Sequence, residues 1–93
     1  MSDDTSETLR GALTQLCKRW SLLTIRVDVP ENLQKDAVRE ALDMLTKADA
    51  AALTVVHEDF PQAQRMIICC LREVCQLVSA NNSQRWRGAA IAA

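Results

Sequence analysis

The sequence predicts an all-α fold: an up-and-down bundle of four helices, or five if the tail adds one, with an extended crossover between the first two. Three observations carry that prediction. Apolar residues recur at steps of three and four through most of the 93 residues. Two Gly and two Pro are too few to punctuate an all-β chain. Apolar residues make up 48% and charged residues 25%, a globular balance that at this length fills one core and not two.

The elements follow in order. Leu9, Ala12, Leu13, Leu16, Cys17 and Trp20 form one stripe on a first helix, with Asp4 and Glu7 spaced as a capping pair. From Ser21 to Pro30 the period drops to two, with Ile25, Val27 and Val29 alternating against Thr24, Arg26 and Asp28. A lone strand has no partner, so this stretch reads as an extended crossover laying its apolar side on the bundle. Pro30 and Glu31 suit the first turn of a second helix, which carries Leu33, Ala37, Val38, Ala41, Leu42 and Leu45 and runs to about Lys47. Asp49 reads as the N-cap of a shorter third helix bearing Ala51, Leu53, Val56 and Phe60, with Pro61 stopping or restarting the chain. The fourth helix presents Ala63, Met66, Ile67, Cys70, Leu71, Val74, Cys75, Leu77 and Val78, a stripe wide enough for two neighbours, and Asn81-Asn82-Ser83 reads as its stop. The expected division is a flexible N-terminus over 1–8, the bundle over 9–80 and a tail over 81–93.

Charge and composition narrow the function classes. A formal net charge of −1 lacks the positive field that phosphate backbones select for, and the aromatic residues are Trp20, Phe60 and Trp86 alone, which leaves little for base stacking. The chain opens Met1-Ser2-Asp3-Asp4, without a basic and then apolar leader, and no run approaches the roughly 18 apolar residues of a membrane span. The expected location is the cytoplasm, with the nucleus left open, and in a reducing compartment Cys17, Cys69, Cys70 and Cys75 are expected as free thiols.

No enzyme motif stands out. His57, beside Glu58 and Asp59, is the single histidine and reads as a residue favoured by a helix C-terminus rather than a catalytic base. Adjacent helix positions point about 100° apart, so Cys69 and Cys70 do not face one metal, and Cys17 and Cys70 read as small core residues. If one thiol is reactive it is Cys69, flanked by Arg65 and Arg72. No catalytic residue, cofactor or metal is therefore expected. Arg85-Trp86-Arg87 places an aromatic between two guanidinium groups, suited to a partner's pocket or to a base, while Trp86 equally suits packing back as a lid on the bundle.

The run Leu9-Arg10-Gly11-Ala12-Leu13-Thr14-Gln15-Leu16-Cys17-Lys18-Arg19-Trp20, the extended segment after it, Val38 to Leu45 and the Asp49-Ala50-Ala51 turn resemble the C-terminal helical-bundle domain family of the steroid receptor RNA activator protein and the large outer COPII coat subunit. The resemblance covers about Leu9 to Val78 and rests on helix lengths, apolar spacing and the terminal Trp20. It implies a bundle of four or five helices without catalytic residues, working as an interaction module in transcription co-regulation or in vesicle coat assembly.

The leading expectation is a non-enzymatic adaptor that binds another protein, or a second copy of itself, through Trp86, Arg85, Arg87, Leu23 and Ile25, which lie outside the strongest core stripes. The alternative is a nucleic-acid-binding accessory protein using the tail with Lys18, Arg19 and Arg26, and a third class is a thiol or metal protein built on Cys69, Cys70, Cys75 and His57.

Overall fold

In a computed structural model that describes residues 5–22 and 24–92, with side chains for 5–22 and 24–80, the chain forms three helices. They are α1 (Ser6–Arg19), α2 (Lys35–Val55) and α3 (Phe60–Ala92), and no strand forms among the described residues. The class is all-α as expected. The count of four or five is corrected to three, because two expected breaks do not break the helix.

α1 begins ahead of Leu9, where the sequence places the start of the bundle. Its N-cap is Thr5, whose Oγ1 accepts from the Thr8 backbone N–H at 3.2 Å. Asp4, the expected cap, lies outside the described residues. Glu7 in the first turn and Lys18 and Arg19 in the last complement the helix dipole. At the other end the Leu22 N–H donates to the Cys17 carbonyl at 2.7 Å and the Ser21 N–H to the Lys18 carbonyl at 3.4 Å, the two bonds of a Schellman cap. That cap needs a left-handed residue, and Ser21 supplies it at φ 58° without being glycine. Buried Leu22 and Cys17 provide the apolar contact that accompanies the motif.

The contacts at the two ends of α1 set its direction relative to α2. Ser6, a buried polar residue, donates from Oγ to the Glu31 carbonyl at 3.1 Å and accepts from the Leu33 N–H at 3.3 Å, just before α2 starts. At the far end, Trp20 Nε1 donates to Asp49 Oδ1 at 2.7 Å and Arg19 Nη1 to Asp49 Oδ2 at 2.7 Å, deep in the second half of α2. Start meets start and end meets end, so α1 and α2 run parallel, which corrects the up-and-down order. A 14-residue helix is about 21 Å long, and the fourteen residues between Trp20 and Lys35 span up to about 46 Å when extended, so the crossover carries the chain back with length to spare. Val29 is buried, Ile25 and Val27 are half-buried, and Thr24, Arg26 and Asp28 are exposed, as the alternation predicts.

α2 starts at Lys35 and not at Pro30, because the Ser6 hydroxyl holds Glu31 and Leu33 in a non-helical path, and Gln34 enters the helix with an extended backbone. The expected break at Asp49 is absent. Ala48, Ala50, Ala51 and Ala52 are the strongest helix formers, and no Gly or Pro stands between Gln34 and Phe60. Continuing the phase of Val38, Ala41 and Leu45 buries Ala52 completely and turns Leu53 out to 49% exposure, so the apolar stripe expected through Leu53 is displaced by one residue.

The connection to α3 occupies only residues 56–59. Asp59 Oδ1 accepts from the Gln62 N–H at 3.0 Å and caps α3, leaving Pro61 in the first turn, where its missing N–H costs nothing. Of the two roles open to Pro61, stopping or restarting the chain, it takes the second. α3 runs antiparallel to α2, with the Cys70 thiol donating to the Met44 carbonyl at 3.4 Å. It continues past Asn81-Asn82-Ser83, since each of these costs well under 1 kcal/mol in a helix and none removes a backbone hydrogen bond. α2 packs against both other helices. Leu9, Val38, Ala41, Ala52, Ala63, Ile67 and Val74 are fully buried between the three.

Two stability outcomes follow from these caps and clamps. Ser21→Gly relieves the left-handed strain, and thermal unfolding is expected to shift up by a few degrees, equivalent to about 0.5–1 kcal/mol; a lower midpoint counts against the cap. Asp49→Ala leaves a buried indole N–H without an acceptor and is expected to cost about 1–3 kcal/mol in urea unfolding. Arg19→Ala removes only the outer ion pair and is expected to cost under about 1 kcal/mol.

Candidate functional site

The crossover returns along α1 and reaches α3 at Ile25. There Ile25, Ile68, Leu71, Arg72, Cys75 and Gln76 line an open groove of about 440 Å³. Leu71, 2% exposed, forms its floor, while Ile25, Ile68 and Cys75 are half-buried walls and Arg72 and Gln76 stand on the rim. Helical spacing explains the α3 side, because Ile68, Leu71, Arg72 and Cys75 fall within one face over two turns. The crossover side is fixed by the Leu22 carbonyl, which accepts from the Ile25 N–H at 3.1 Å and turns the chain toward α3. On the other side of Ile25 a second pocket of about 310 Å³ is lined by Arg10, Leu13, Thr14, Cys17, Arg26, Val27 and Asp28. Arg10 Nη2 donates to the Val29 carbonyl at 2.7 Å and pins the crossover to α1 there.

Of the residues expected to touch a partner, Ile25 is the one the structure brings into a cleft. Leu23 lies outside the described residues, and so do the side chains of Arg85, Trp86 and Arg87. Ile68 is missed by the sequence reading, which assigns the core stripe to Ile67 beside it; the available signal was an apolar residue next to, and not on, the stripe. Leu71 is in the core as expected and also floors the groove, whereas Cys75, expected on the same inward stripe, is half-buried and walls the groove from outside the core cluster. Two further large apolar side chains reach solvent, Leu53 on α2 and Phe60 at 41% exposure, whose ring stacks on Trp20 with centroids 6.2 Å apart.

The other candidate chemistries are dispersed. His57 is exposed in the turn after α2, and the neighbouring Asp59 carboxylate serves as the α3 cap. Among the described residues no group of three or more His, Cys, Asp or Glu side chains is placed to hold a metal, and no helix is long and apolar enough to cross a membrane. All four cysteines are free, with Cys17 and Cys70 buried, Cys75 half-buried and Cys69 exposed. Burial pushes the Cys17 thiol up. Burial, aided by the nearby Glu73 carboxylate, pushes Cys70 up to about 11. Arg65 directs its Nε and Nη2 donors to Gln62 Oε1, at 3.2 and 2.8 Å, and not to Cys69.

Alkylation with iodoacetamide at pH 8, followed by mass spectrometry, is expected to label Cys69 first and Cys17 and Cys70 last, with the lag abolished in urea; simultaneous labelling of all four contradicts the burial described. The Cys70 proton also links stability to pH. Between the ordinary thiol value of 9.0 and about 11 the unfolded chain holds fewer protons than the folded one, so stability falls as pH rises through that window. Comparison of the chain with family models, with curated proteins and with solved structures finds no match.

Proposed function

We propose that this chain is a non-enzymatic helical interaction module that holds another protein by burying that partner's apolar side chains in the groove between the crossover and α3. The observation that carries the proposal is the meeting of Ile25 with Ile68, Leu71 and Cys75 around an open apolar cleft with a charged rim. A chain of 93 residues has little stability to give to a strained catalytic site, and Arg10 in the pocket beside the cleft is engaged with the Val29 carbonyl as a clamp on the crossover. The resemblance to the steroid receptor RNA activator and COPII family supports an adaptor of the co-regulator or coat-assembly kind, acting in the cytoplasm or the nucleus.

The test is a pull-down from cell extract with nuclease treatment, comparing wild type with Ile25→Asp and Ile68→Gln. Both positions are half-buried, so each variant is expected to keep its helical circular dichroism while losing a partner that wild type retains. Undiminished capture by both folded variants overturns the groove reading. Release of the partner by nuclease favours nucleic-acid binding instead.

A further inference from the structure

The charges around the groove describe its occupant. Ile25 is shared by the apolar groove and the pocket behind it, and together they are lined by the guanidinium groups of Arg10, Arg26 and Arg72 against the single carboxylate of Asp28. That local excess is positive in a chain whose formal net charge is −1. Arg65 extends it, lying one turn before Ile68 and two turns before Arg72 along the same face of α3. Glu73, the one carboxylate among the described side chains of α3, is not part of the groove lining. The floor is aliphatic and thiol-bearing, with no ring on which a base stacks, so the cations here rim a site for side chains rather than a nucleic-acid track.

From this juxtaposition we propose that the groove takes an amphipathic helix of a partner protein whose apolar anchors, spaced three and four residues apart, are flanked by Asp and Glu. The anchors cover Ile25, Ile68 and Leu71, and the flanking carboxylates meet Arg72 on the groove rim, with Arg65 further along α3, and reach across Ile25 to Arg26 of the adjoining pocket. Rim charges of this kind select the partner and speed its approach more than they hold it. The inference rests on the interaction-module reading and specifies its partner.

The test uses three fluorescent peptides of about 18 residues, five helical turns, sharing one leucine stripe and carrying Glu, Gln or Lys at the flanking positions. Binding is read by fluorescence anisotropy. The Glu peptide is expected to bind about tenfold more tightly than the Lys peptide and to weaken as salt rises. An Arg26→Glu, Arg72→Glu double variant, both positions exposed, is expected to reverse the preference. Equal binding of Glu and Lys peptides, lost in Ile25→Asp, overturns the acidic partner while leaving the groove in place. Binding that Ile25→Asp does not change, or no binding of any peptide, overturns both, and displacement of the Glu peptide by a single-stranded oligonucleotide overturns the choice of a protein partner.

Discussion

The fold hangs on one carboxylate. Asp49 accepts the indole N–H of Trp20 on one oxygen and the guanidinium of Arg19 on the other. Its side chain is 20% exposed and that of Arg19 58%, so the indole bond is the shielded member of the pair and the ion pair its solvated outer edge. Trp20 is the largest fully buried side chain, and a ring of that size contributes about 3–5 kcal/mol relative to alanine, a large share of the stability open to a domain this small. Placing it requires an acceptor for its N–H, and Asp49 is that acceptor. The same residue is tied to α3 as well, through the stack of Phe60 on its ring and the Gln64 side-chain amide, which donates to its carbonyl at 2.9 Å. All three helices are therefore keyed at Trp20.

That clamp and the Ser6 hydroxyl at the opposite end of α1 together impose the parallel order of α1 and α2. A parallel pair cannot be joined by a short turn, so the chain must return in an extended segment. The return path is where the groove arises. It brings Ile25, which has no place on any helical stripe, against the outer edge of the α3 core face, with Arg72 in the groove there and Arg26 in the pocket on the other side of Ile25. An antiparallel pair of the same helices joined by a short turn would have left no such cleft. The binding surface proposed here is thus a product of topology rather than of a local motif.

The sequence was legible where one local rule acted alone. The α1 stripe from Leu9 to Trp20, the alternation over residues 24–29 and the α3 stripe from Ala63 to Val78 were all readable, since each reports burial through a single period. It was illegible where the sign of a residue depended on a distant partner. Asp49 has the look of an N-cap, and only the indole and guanidinium brought to it by α1 explain a carboxylate in the middle of a helix. Asp59, four residues from the end of α2, is the cap of α3, and nothing in its local sequence separates it from the neighbouring Glu58. Pro61 reads equally as an ending or a beginning until that cap is seen. Ser21 hides a left-handed cap position behind a residue that is not glycine. The groove was half legible: Ile25 stood out as an apolar residue without a helical stripe, but Ile68 was masked by its core neighbour Ile67.

The parallel clamp is the claim on which the groove and its occupant both depend, and a nuclear Overhauser spectrum of the intact chain tests it directly. The account predicts contacts from the Trp20 indole N–H and ring to protons around Asp49 and to the Phe60 ring, together with contacts from the Ser6 side chain to the Leu33 amide. Contacts from the first turn of α1 to the last turn of α2, with none from Trp20 to the Asp49 region, would contradict it.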